Sequence, residues 1–265
     1  MIKFHLMELI NFELNNVKKI ISENIDEILP NDGIKSFVLG KSKYIRTILP
    51  VLYIQALGLK PTTNIYKCLA VGELIHNASL LHDDVIDSAG ERRGDSTINE
   101  KYSPKISVLC GDYLISKATN VLMSIDNSLL FDKFNTCIQK MVKAEVLQYF
   151  NRGKKPSVDV YLSICNGKTA ELFATIMYSC SILLSLNDDN FENLGRIFGL
   201  NFQINNDLDT RSIVEDKKNM QSSIIDVMGI ENTYALLDNN KKKMREIVSN
   251  LPDNVYKHKL EDLIS

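Results

Sequence analysis

Apolar residues recur at helical spacing along almost the whole of this 265-residue chain. Within residues 3–29 they fall three or four positions apart, as on one face of a helix, at Leu6, Ile10, Leu14, Val17, Ile21, Ile25 and Ile28. The sequence Pro30-Asn-Asp-Gly33 ends that helix. The same pattern predicts helices over residues 45–58, 62–88, 107–125, 128–150, 157–184, 188–210, 224–237, 240–250 and 253–264. No stretch shows the alternation of a β-strand, so the predicted fold class is all-α.

The composition supports a helical globular protein. Hydrophobic residues make up 45% of the chain and charged residues 24%, which is ordinary for a globular domain. Only 12 glycines and 6 prolines occur, so few residues would interrupt helices. No linker rich in Pro, Gly or Ser divides the sequence, and a single domain over residues 1–265 is therefore predicted.

Net charge and cysteine usage limit the kinds of binding partner and the cellular compartment expected for the protein. The formal net charge of −2 provides no overall basic field for nucleic acid. No run approaches 18 apolar residues, so no transmembrane segment is expected, and the first residues lack the layout of a signal peptide. The five cysteines show no C-x-x-C spacing. This usage predicts buried, reduced thiols and a cytoplasmic location.

One segment, residues 73–94, carries the densest candidate chemistry. Asp83 and Asp87 are four residues apart, so they share one face of a helix, about one turn apart. Carboxylates at that spacing suit Mg²⁺, which bridges a few carboxylates to substrate phosphates while it keeps several waters. His76 falls near the same face. Arg92 and Arg93 follow in the next loop and could contact phosphate.

A simpler interpretation is that Asp83, Asp84 and Asp87 form a solvated helix end. Carboxylates at a helix C-terminus are unfavourable with the helix dipole, which argues against a purely decorative role.

Two other segments are chemically suggestive. Lys43 and Arg46 are three residues apart and would project together near a helix N-terminus, where backbone N–H groups also favour anions. Lys168 is a charged residue in an apolar segment. On the helix that begins near residue 188, Gln203 and Asp207 lie one turn apart. Exposed side chains that serve no site remain an alternative for each of these segments.

In their order along the chain, these segments resemble the trans-isoprenyl diphosphate synthases, or polyprenyl synthetases, across roughly residues 35–225. That family has a G-G-K-x-x-R segment, E-L-x-H-x-x-S-L-x-H-D-D-x-x-D, R-R-G, G-D-x-L, an E-x-x-Q pair, a K-T-A helix and F-Q-x-x-D-D-x-x-D. The counterparts here are Lys43–Arg46, Glu73–Asp87, Arg92–Gly94, Gly111–Leu114, Glu145 with Gln148, Lys168–Ala170 and Phe202–Asp207.

The resemblance implies a fold and an activity. The implied fold is the all-α isoprenoid-synthase-type bundle around a central apolar cavity. The implied enzyme is an all-trans polyprenyl diphosphate synthase, a prenyltransferase that condenses isopentenyl diphosphate with an allylic diphosphate. The family also implies a homodimer, with a heteromer as the alternative.

The resemblance also implies a role for each matching residue. Asp83 and Asp87, with support from Asp84, would hold Mg²⁺ on the allylic diphosphate, and Asn206 would be a further metal ligand. Arg92 and Lys168 would contact that same diphosphate, and Lys168 would act in catalysis with the three aspartates. Further residues implied to bind substrate are Thr169, Gln203 and Asp207. Those implied to bind isopentenyl diphosphate are Lys43, Arg46, His76 and Arg93.

The sequence departs from the family in several places. The second aspartate motif is Asn206-Asp-Leu-Asp-Thr210, which weakens charge-based binding of a further metal. Gln221 stands where the family has a lysine, and Tyr44 stands where an arginine is common. These changes keep open a second hypothesis, a weakly active or regulatory subunit of a heteromeric synthase. Asn206 and Thr210 also resemble part of a terpene cyclase motif, so a cyclase is the third.

Two small residues bear on product length. Ala78 and Ser79 precede Asp83 by about one turn. In the family, aromatic side chains at these positions shorten the product, whereas small ones let the chain grow past them. A product longer than farnesyl is therefore expected.

Overall fold

The computed structural model describes residues 8–25, 32–40, 42–92, 94–209 and 219–265, with the backbone alone for residues 32–34. The chain divides into two compact units. Unit 1 comprises residues 1–54 and 60–131, and unit 2 comprises residues 55–59 and 132–265. Arg93 and Thr210, both singled out from the sequence, lie outside the described residues.

Unit 1 is helical apart from one small hairpin. Its elements are α1 (Asn11–Ile25), α2 (Asp32–Leu39), α3 (Ile45–Ala56, which crosses into unit 2), α4 (Thr63–Ile86), β1 (Glu91–Arg92), β2 (Asp95–Ser96), α5 (Ile98–Lys101) and α6 (Pro104–Met123). The predicted helix over residues 62–88 is confirmed by α4. Helix α2 had not been predicted from the sequence.

Helix α4 is the central element of unit 1. Most of its residues from Ile65 to Ala78 are buried, as expected for a helix that is apolar almost all round. Thr62 caps its start by accepting a hydrogen bond from the Ile65 N–H at 3.4 Å. Helix α6 packs closely on it: the Ser107 Oγ donates to the Leu81 carbonyl at 2.8 Å, and a Cβ on Gly111 would lie 2.3 Å from the His82 Nε2. The last turn of α4 is therefore held in a fixed position.

The hairpin corrects the expectation that no β-structure occurs. Strands β1 and β2 pair antiparallel, with Glu91 opposite Ser96 and Arg92 opposite Asp95. Gly94 has a φ of +80°, a conformation that glycine adopts without strain. Two-residue strands are too short to show alternation, which explains why the sequence pattern missed them.

Unit 2 is helical throughout its described residues. Its elements are α7 (Ser128–Phe150, which begins in unit 1), α8 (Val158–Cys165), a π-turn (Asn166–Ala170), α9 (Glu171–Leu183), α10 (Asp189–Asp207), α11 (Ile224–Met228), α12 (Ile230–Ser249) and α13 (Val255–Ile264). The predicted helix over residues 128–150 is confirmed. The predicted helical segment over residues 157–184 is confirmed, and a π-turn at its centre joins α8 to α9.

The C-terminal boundaries also differ from the prediction. The break expected between residues 237 and 240 is absent, because α12 continues through it. The break falls instead at Gly229, whose φ is +81°. Ser223 and Asp226 form a reciprocal capping box at the start of α11. A glycine with positive φ thus sets the boundary that the hydrophobic pattern placed ten residues later.

The sequence also led to expectations about the cysteines and about membrane-spanning helices. All five cysteines are buried free thiols, as expected. Within the described ranges, no helix combines the length and apolar character that a membrane crossing requires.

Candidate functional site

The acidic end of α4 separates its aspartates into two environments. Asp83 and Asp87 are both partly exposed. The backbone N–H of Asp87 donates to the Asp83 carbonyl at 2.8 Å, so the last turn stays helical up to its cap. Asp83 and Asp87 therefore lie one turn apart at the end of α4, as their spacing in the sequence predicted.

Asp84 lies between them and is fully buried, with 0% exposure. Its Oδ1 accepts hydrogen bonds from Arg92, at 2.7 Å from Nε and 2.6 Å from Nη2. Its carbonyl accepts the Ala89 N–H at 2.9 Å. Asp84 therefore anchors the hairpin to the helix. A guanidinium has five N–H donors, so Arg92 has more donors than its bonds to Asp84 use.

The basic residues at the start of α3, Lys43 and Arg46, flank a buried tyrosine in the sequence. Lys43 is exposed, whereas Arg46 is only 7% exposed. Between them, Tyr44 is buried with a φ of +48°, which is uncommon for a residue with a side chain. Burial, and then the nearby Glu73 carboxylate, raise the pKa of Tyr44. The Glu73 Oε1 also accepts the Thr47 hydroxyl at 2.9 Å, which fixes the first turn of α3 against α4.

His76 is a half-buried residue on α4, two turns before Asp83. The Ser79 hydroxyl donates to the His76 carbonyl at 2.8 Å, within the same helix. Ala78, beside it, is completely buried. The face of α4 that ends in Asp83 thus carries His76 and the small Ser79.

Lys168 is the centre of a polar cluster in unit 2. The π-turn carries its ammonium, which lies 2.5 Å from the Glu145 Oε2 and donates to the Gln148 Oε1 at 2.9 Å. Gln148 in turn donates through Nε2 to the Gln221 Oε1 at 2.7 Å. The E-x-x-Q pair of the sequence thus places both of its polar side chains on Lys168. π-turns within helices occur frequently at functional sites.

A second network in unit 2 connects four side chains. The Thr169 hydroxyl donates to the Gln203 Oε1 at 2.7 Å, and the Gln203 Nε2 donates to the Asp207 Oδ1 at 2.8 Å. The Tyr161 hydroxyl donates to the other oxygen, Asp207 Oδ2. Burial raises the pKa of Asp207, although the bonds from Tyr161 and Gln203 oppose that rise. Burial likewise raises the pKa of Tyr161.

Asp207 differs in its surroundings from the polar residues beside it in the second aspartate motif. Asp207 is 8% exposed and both of its oxygens accept hydrogen bonds within the unit. Asn206 and Asp209 are exposed at the same helix end. Asp207 therefore uses one acceptor site on each oxygen within unit 2. Tyr161 had not been singled out from the sequence, because a lone tyrosine in an apolar helix gives no signal of its partner.

Comparison with known proteins places these clusters in context. A family model described as Polyprenyl synthetase matches residues 31–259. The all-trans-nonaprenyl-diphosphate synthase (geranyl-diphosphate specific) of Rhodobacter capsulatus is 34% identical in an alignment of length 193 that covers 67% of this chain and 59% of that relative. The chain therefore spans about three-fifths of the length of that relative.

Solved structures share the architecture. The heptaprenyl diphosphate synthase of Staphylococcus aureus superposes with a TM-score of 0.85 at 21% identity, covering 96% of each chain. The polyprenyl synthase of Caulobacter crescentus, solved with calcium and isoprenyl diphosphate, superposes with a TM-score of 0.80 at 20% identity, covering 99% of this chain and 96% of that one. At these identities the likeness shows the fold alone. The fold is the all-α isoprenoid-synthase fold that the sequence predicted.

Proposed function

Because this chain belongs to the polyprenyl synthetase family, we propose that it is an all-trans polyprenyl diphosphate synthase. In this magnesium-dependent reaction, isopentenyl diphosphate extends an allylic diphosphate by one isoprene unit. The observation that carries the proposal is the acidic end of α4. There, Asp83 and Asp87 are partly exposed one turn apart, while Asp84 is buried against Arg92.

The donor set at this helix end fits a divalent metal. Carboxylate oxygens are ligands that Mg²⁺ and Ca²⁺ both accept, and Mg²⁺ usually keeps several waters and substrate oxygens. Among the residues described, no group of three or more His, Cys, Asp and Glu side chains could hold a metal. Asp83 and Asp87 would therefore hold it together with diphosphate oxygens, as in a site that forms only with substrate. The Caulobacter neighbour, solved with calcium and isoprenyl diphosphate, supports such a combination.

The reaction requires stabilisation of a departing diphosphate. When the allylic C–O bond breaks, its electron pair leaves with the diphosphate and the allylic carbon becomes a cation. A divalent metal, when bound, neutralises charge on the leaving group. The alkene of isopentenyl diphosphate then forms the new C–C bond, and a proton is lost to the departing diphosphate.

The chain's own cations have separate proposed roles in this reaction. In unit 1, Arg92 would donate to the allylic diphosphate with the N–H groups that Asp84 does not use. In unit 2, Lys168 is proposed to bind diphosphate as well. Lys43, Arg46 and His76 are proposed to bind isopentenyl diphosphate. Preorganised donors of this kind act most strongly where water is excluded.

The product is proposed to be longer than farnesyl. The matched Rhodobacter relative is named as a nonaprenyl synthase, and the Staphylococcus neighbour as a heptaprenyl synthase. The small side chains of Ala78 and Ser79, on the α4 face before Asp83, are consistent with a long chain.

Product analysis tests the proposal directly. The purified protein is incubated with Mg²⁺, isopentenyl diphosphate and each allylic primer from dimethylallyl to geranylgeranyl diphosphate, and products are separated by chromatography. Extended diphosphates are expected. Parallel reactions without isopentenyl diphosphate test for a terpene cyclase, which would form hydrocarbons or alcohols from one substrate. If no primer is extended, the proposal is wrong.

One observation favours the second candidate, a weakly active or regulatory subunit. Asp207, the acid retained from the family's adjacent aspartates, is engaged by Tyr161 and Gln203 rather than presented with Asn206. Mixing the chain with a full-length long-chain synthase distinguishes the two functions. A subunit would change the activity or product length of the mixture beyond the sum of its components, whereas an independent enzyme would not.

We also propose that the chain self-associates through α7. Its residues Val142, Val146, Tyr149 and Phe150 share one helix face, and they are exposed by 49% to 67%. A large apolar stripe on a helix surface is typical of a protein interface. Sedimentation should give the mass of a dimer, and Val146→Glu should shift it toward the monomer.

The cytoplasmic location remains a prediction, with which the buried free thiols are consistent.

A further inference from the structure

Gln221 occupies a position where the family resemblance leads one to expect a lysine, yet its contacts are specific. Its side-chain oxygen accepts the Gln148 Nε2 at 2.7 Å. The neighbouring residues are tied to the same region: the Gly153 N–H donates to the Met220 carbonyl at 2.7 Å, and the Ser222 hydroxyl donates to the Lys154 carbonyl at 3.0 Å. Three consecutive residues are therefore fastened to the C-terminal end of α7 and the turn after it.

The hydrogen bonds around Gln148 have a fixed direction. The ammonium of Lys168 can only donate, so the Gln148 atom 2.9 Å from it must be the amide oxygen. The amide nitrogen then faces residue 221, and an NH₂ group requires an acceptor there. Gln221 supplies that acceptor. A lysine at this position would place a second donor against the Gln148 nitrogen.

We propose that Gln221 is a positioning residue for Lys168. By accepting from Gln148, it holds the amide so that its oxygen faces the ammonium. Gln148 and Glu145, which lies 2.5 Å from the ammonium, then fix Lys168 from two sides. This inference rests on the proposed function, in which Lys168 binds diphosphate. The neutral Gln221 thus contributes to diphosphate binding through Lys168 and makes no contact of its own.

Charge and hydrogen-bond direction give opposite expectations for substitutions at residue 221. If charge at this position governed diphosphate affinity, Gln221→Lys would strengthen binding and Gln221→Glu would weaken it. If the direction of the relay governs affinity, Gln221→Glu keeps the acceptor and Gln221→Lys removes it. The relay therefore predicts that the glutamate variant binds better than the lysine variant.

The kinetic experiment measures KM for the allylic diphosphate and kcat for these variants. Gln221→Lys is expected to raise KM roughly 5-fold, the size expected for one lost hydrogen bond, whereas Gln221→Glu should raise it less. The double variant Gln148→Glu/Gln221→Lys should recover affinity, because a carboxylate accepts from both lysines. Ser222→Ala, which removes a neighbouring bond outside the relay, is the control and should leave KM unchanged. A KM for Gln221→Lys below that of the unaltered protein would overturn the inference.

A spectroscopic readout keeps the inference separate from the proposed function. The side-chain amide signal of Gln148 is assigned in ¹H–¹⁵N spectra by its loss in Gln148→Leu. Both Lys168→Met and Gln221→Leu should shift it, because each removes one partner of that amide. If either leaves the signal unmoved, the relay is wrong even if the enzyme is active. If both shift it but no primer is extended, the proposed function fails and the relay stands.

Discussion

Adjacent aspartates in α4 differ because a helix turns by about 100° per residue. Asp83 and Asp87 share one face and are partly exposed, whereas Asp84 points to another and is buried against Arg92. In the sequence the three acids look equivalent. Their helical phase gives two of them to the candidate metal site and one to the hairpin.

This difference predicts that one of two matched substitutions lowers activity and the other lowers stability. Asp83→Asn should lower kcat roughly 100-fold or more, because it removes a proposed metal ligand. Asp84→Asn should lower the free energy of unfolding by about 3 kcal/mol, because it leaves the partly buried Arg92 without its counter-charge. Steady-state kinetics and urea unfolding of both variants check the prediction. Equal losses of activity and stability in the two proteins would contradict it.

Asn206 offers a complementary test at the other acidic segment. It is exposed at the end of α10, so Asn206→Asp adds a carboxylate without disturbing packing. Turnover should be preserved or raised, since an ionised ligand binds Mg²⁺ more strongly than an amide. Asp207→Asn serves as the contrast and should reduce stability, because Asp207 accepts from Tyr161 and Gln203. A fall in turnover for Asn206→Asp would count against the assigned role of this position.

At the scale of elements, α9 and α10 approach closely because glycine faces the contact. A Cβ on Gly195 would lie 2.7 Å from the Phe173 carbonyl oxygen and 3.0 Å from the Ala174 Cα. Both are backbone atoms and cannot move aside easily. The pair of helices therefore depends on the missing side chain at this position.

Gly195→Ala is accordingly expected to destabilise the protein by about 1–3 kcal/mol, the usual cost of overpacking a core. Gly90→Ala is the control: the nearest atom to its Cβ would be the Glu100 Oε2 at 3.9 Å, and little change is expected. Urea denaturation at neutral pH measures both. A stability of Gly195→Ala equal to that of Gly90→Ala would show that the helices can separate at no cost.

Helices α7, α9 and α10 are also joined by a charged network. The buried Glu171 accepts Lys140 at 2.8 Å and Arg196 at 2.8 Å. Arg196 also bonds Glu192, which accepts Lys133 at 2.9 Å. Burial pushes the pKa of Glu171 upward, but the hydrogen bonds from Lys140 and Arg196 outweigh it and hold the pKa below its ordinary value.

A lowered pKa of Glu171 makes stability depend on acid. Its contribution is complete above the pKa of the unfolded chain and is lost as the pH falls through the lower pKa of the folded state. This contribution should therefore be lost as the pH falls below about 4.3, the ordinary pKa of a glutamate. Glu171→Gln should be less stable at pH 7, and the difference should shrink in acid. Urea unfolding at several pH values checks this, and a pH-independent difference would exclude the mechanism.

Long periodic helices were predictable, and interruptions set by tertiary contacts were not. Apolar spacing alone located α4, α7 and α13 to within a few residues. It missed the π-turn because its i→i+5 bonds leave the hydrophobic pattern almost unchanged. It also missed the tie between Tyr161 and Asp207, which are 46 positions apart and meet only after folding.

At the scale of the whole molecule, the prediction to test is the length of the product. Ala78→Phe should shift the products toward shorter chains, because an aromatic side chain would block the path proposed for the growing chain. Ala78 is completely buried, and the larger side chain could prevent folding. Ser79→Phe, at a partly exposed position, should shorten products without that risk. Chromatography of the products gives the answer, and unchanged lengths in folded variants of both residues would refute this role.

The π-turn has a consequence for insertions and deletions. Five residues, Asn166–Ala170, contain one more than a regular helical turn would need. Deleting Gly167 would remove that extra residue, so an unbroken α-helix could form while α8 and α9 keep nearly the same orientation. A deletion within α8 between Tyr161 and the π-turn would instead rotate Tyr161 by about 100° relative to α9, away from Asp207. The π-turn is therefore the position in this helical segment where the loss of one codon should be tolerated best.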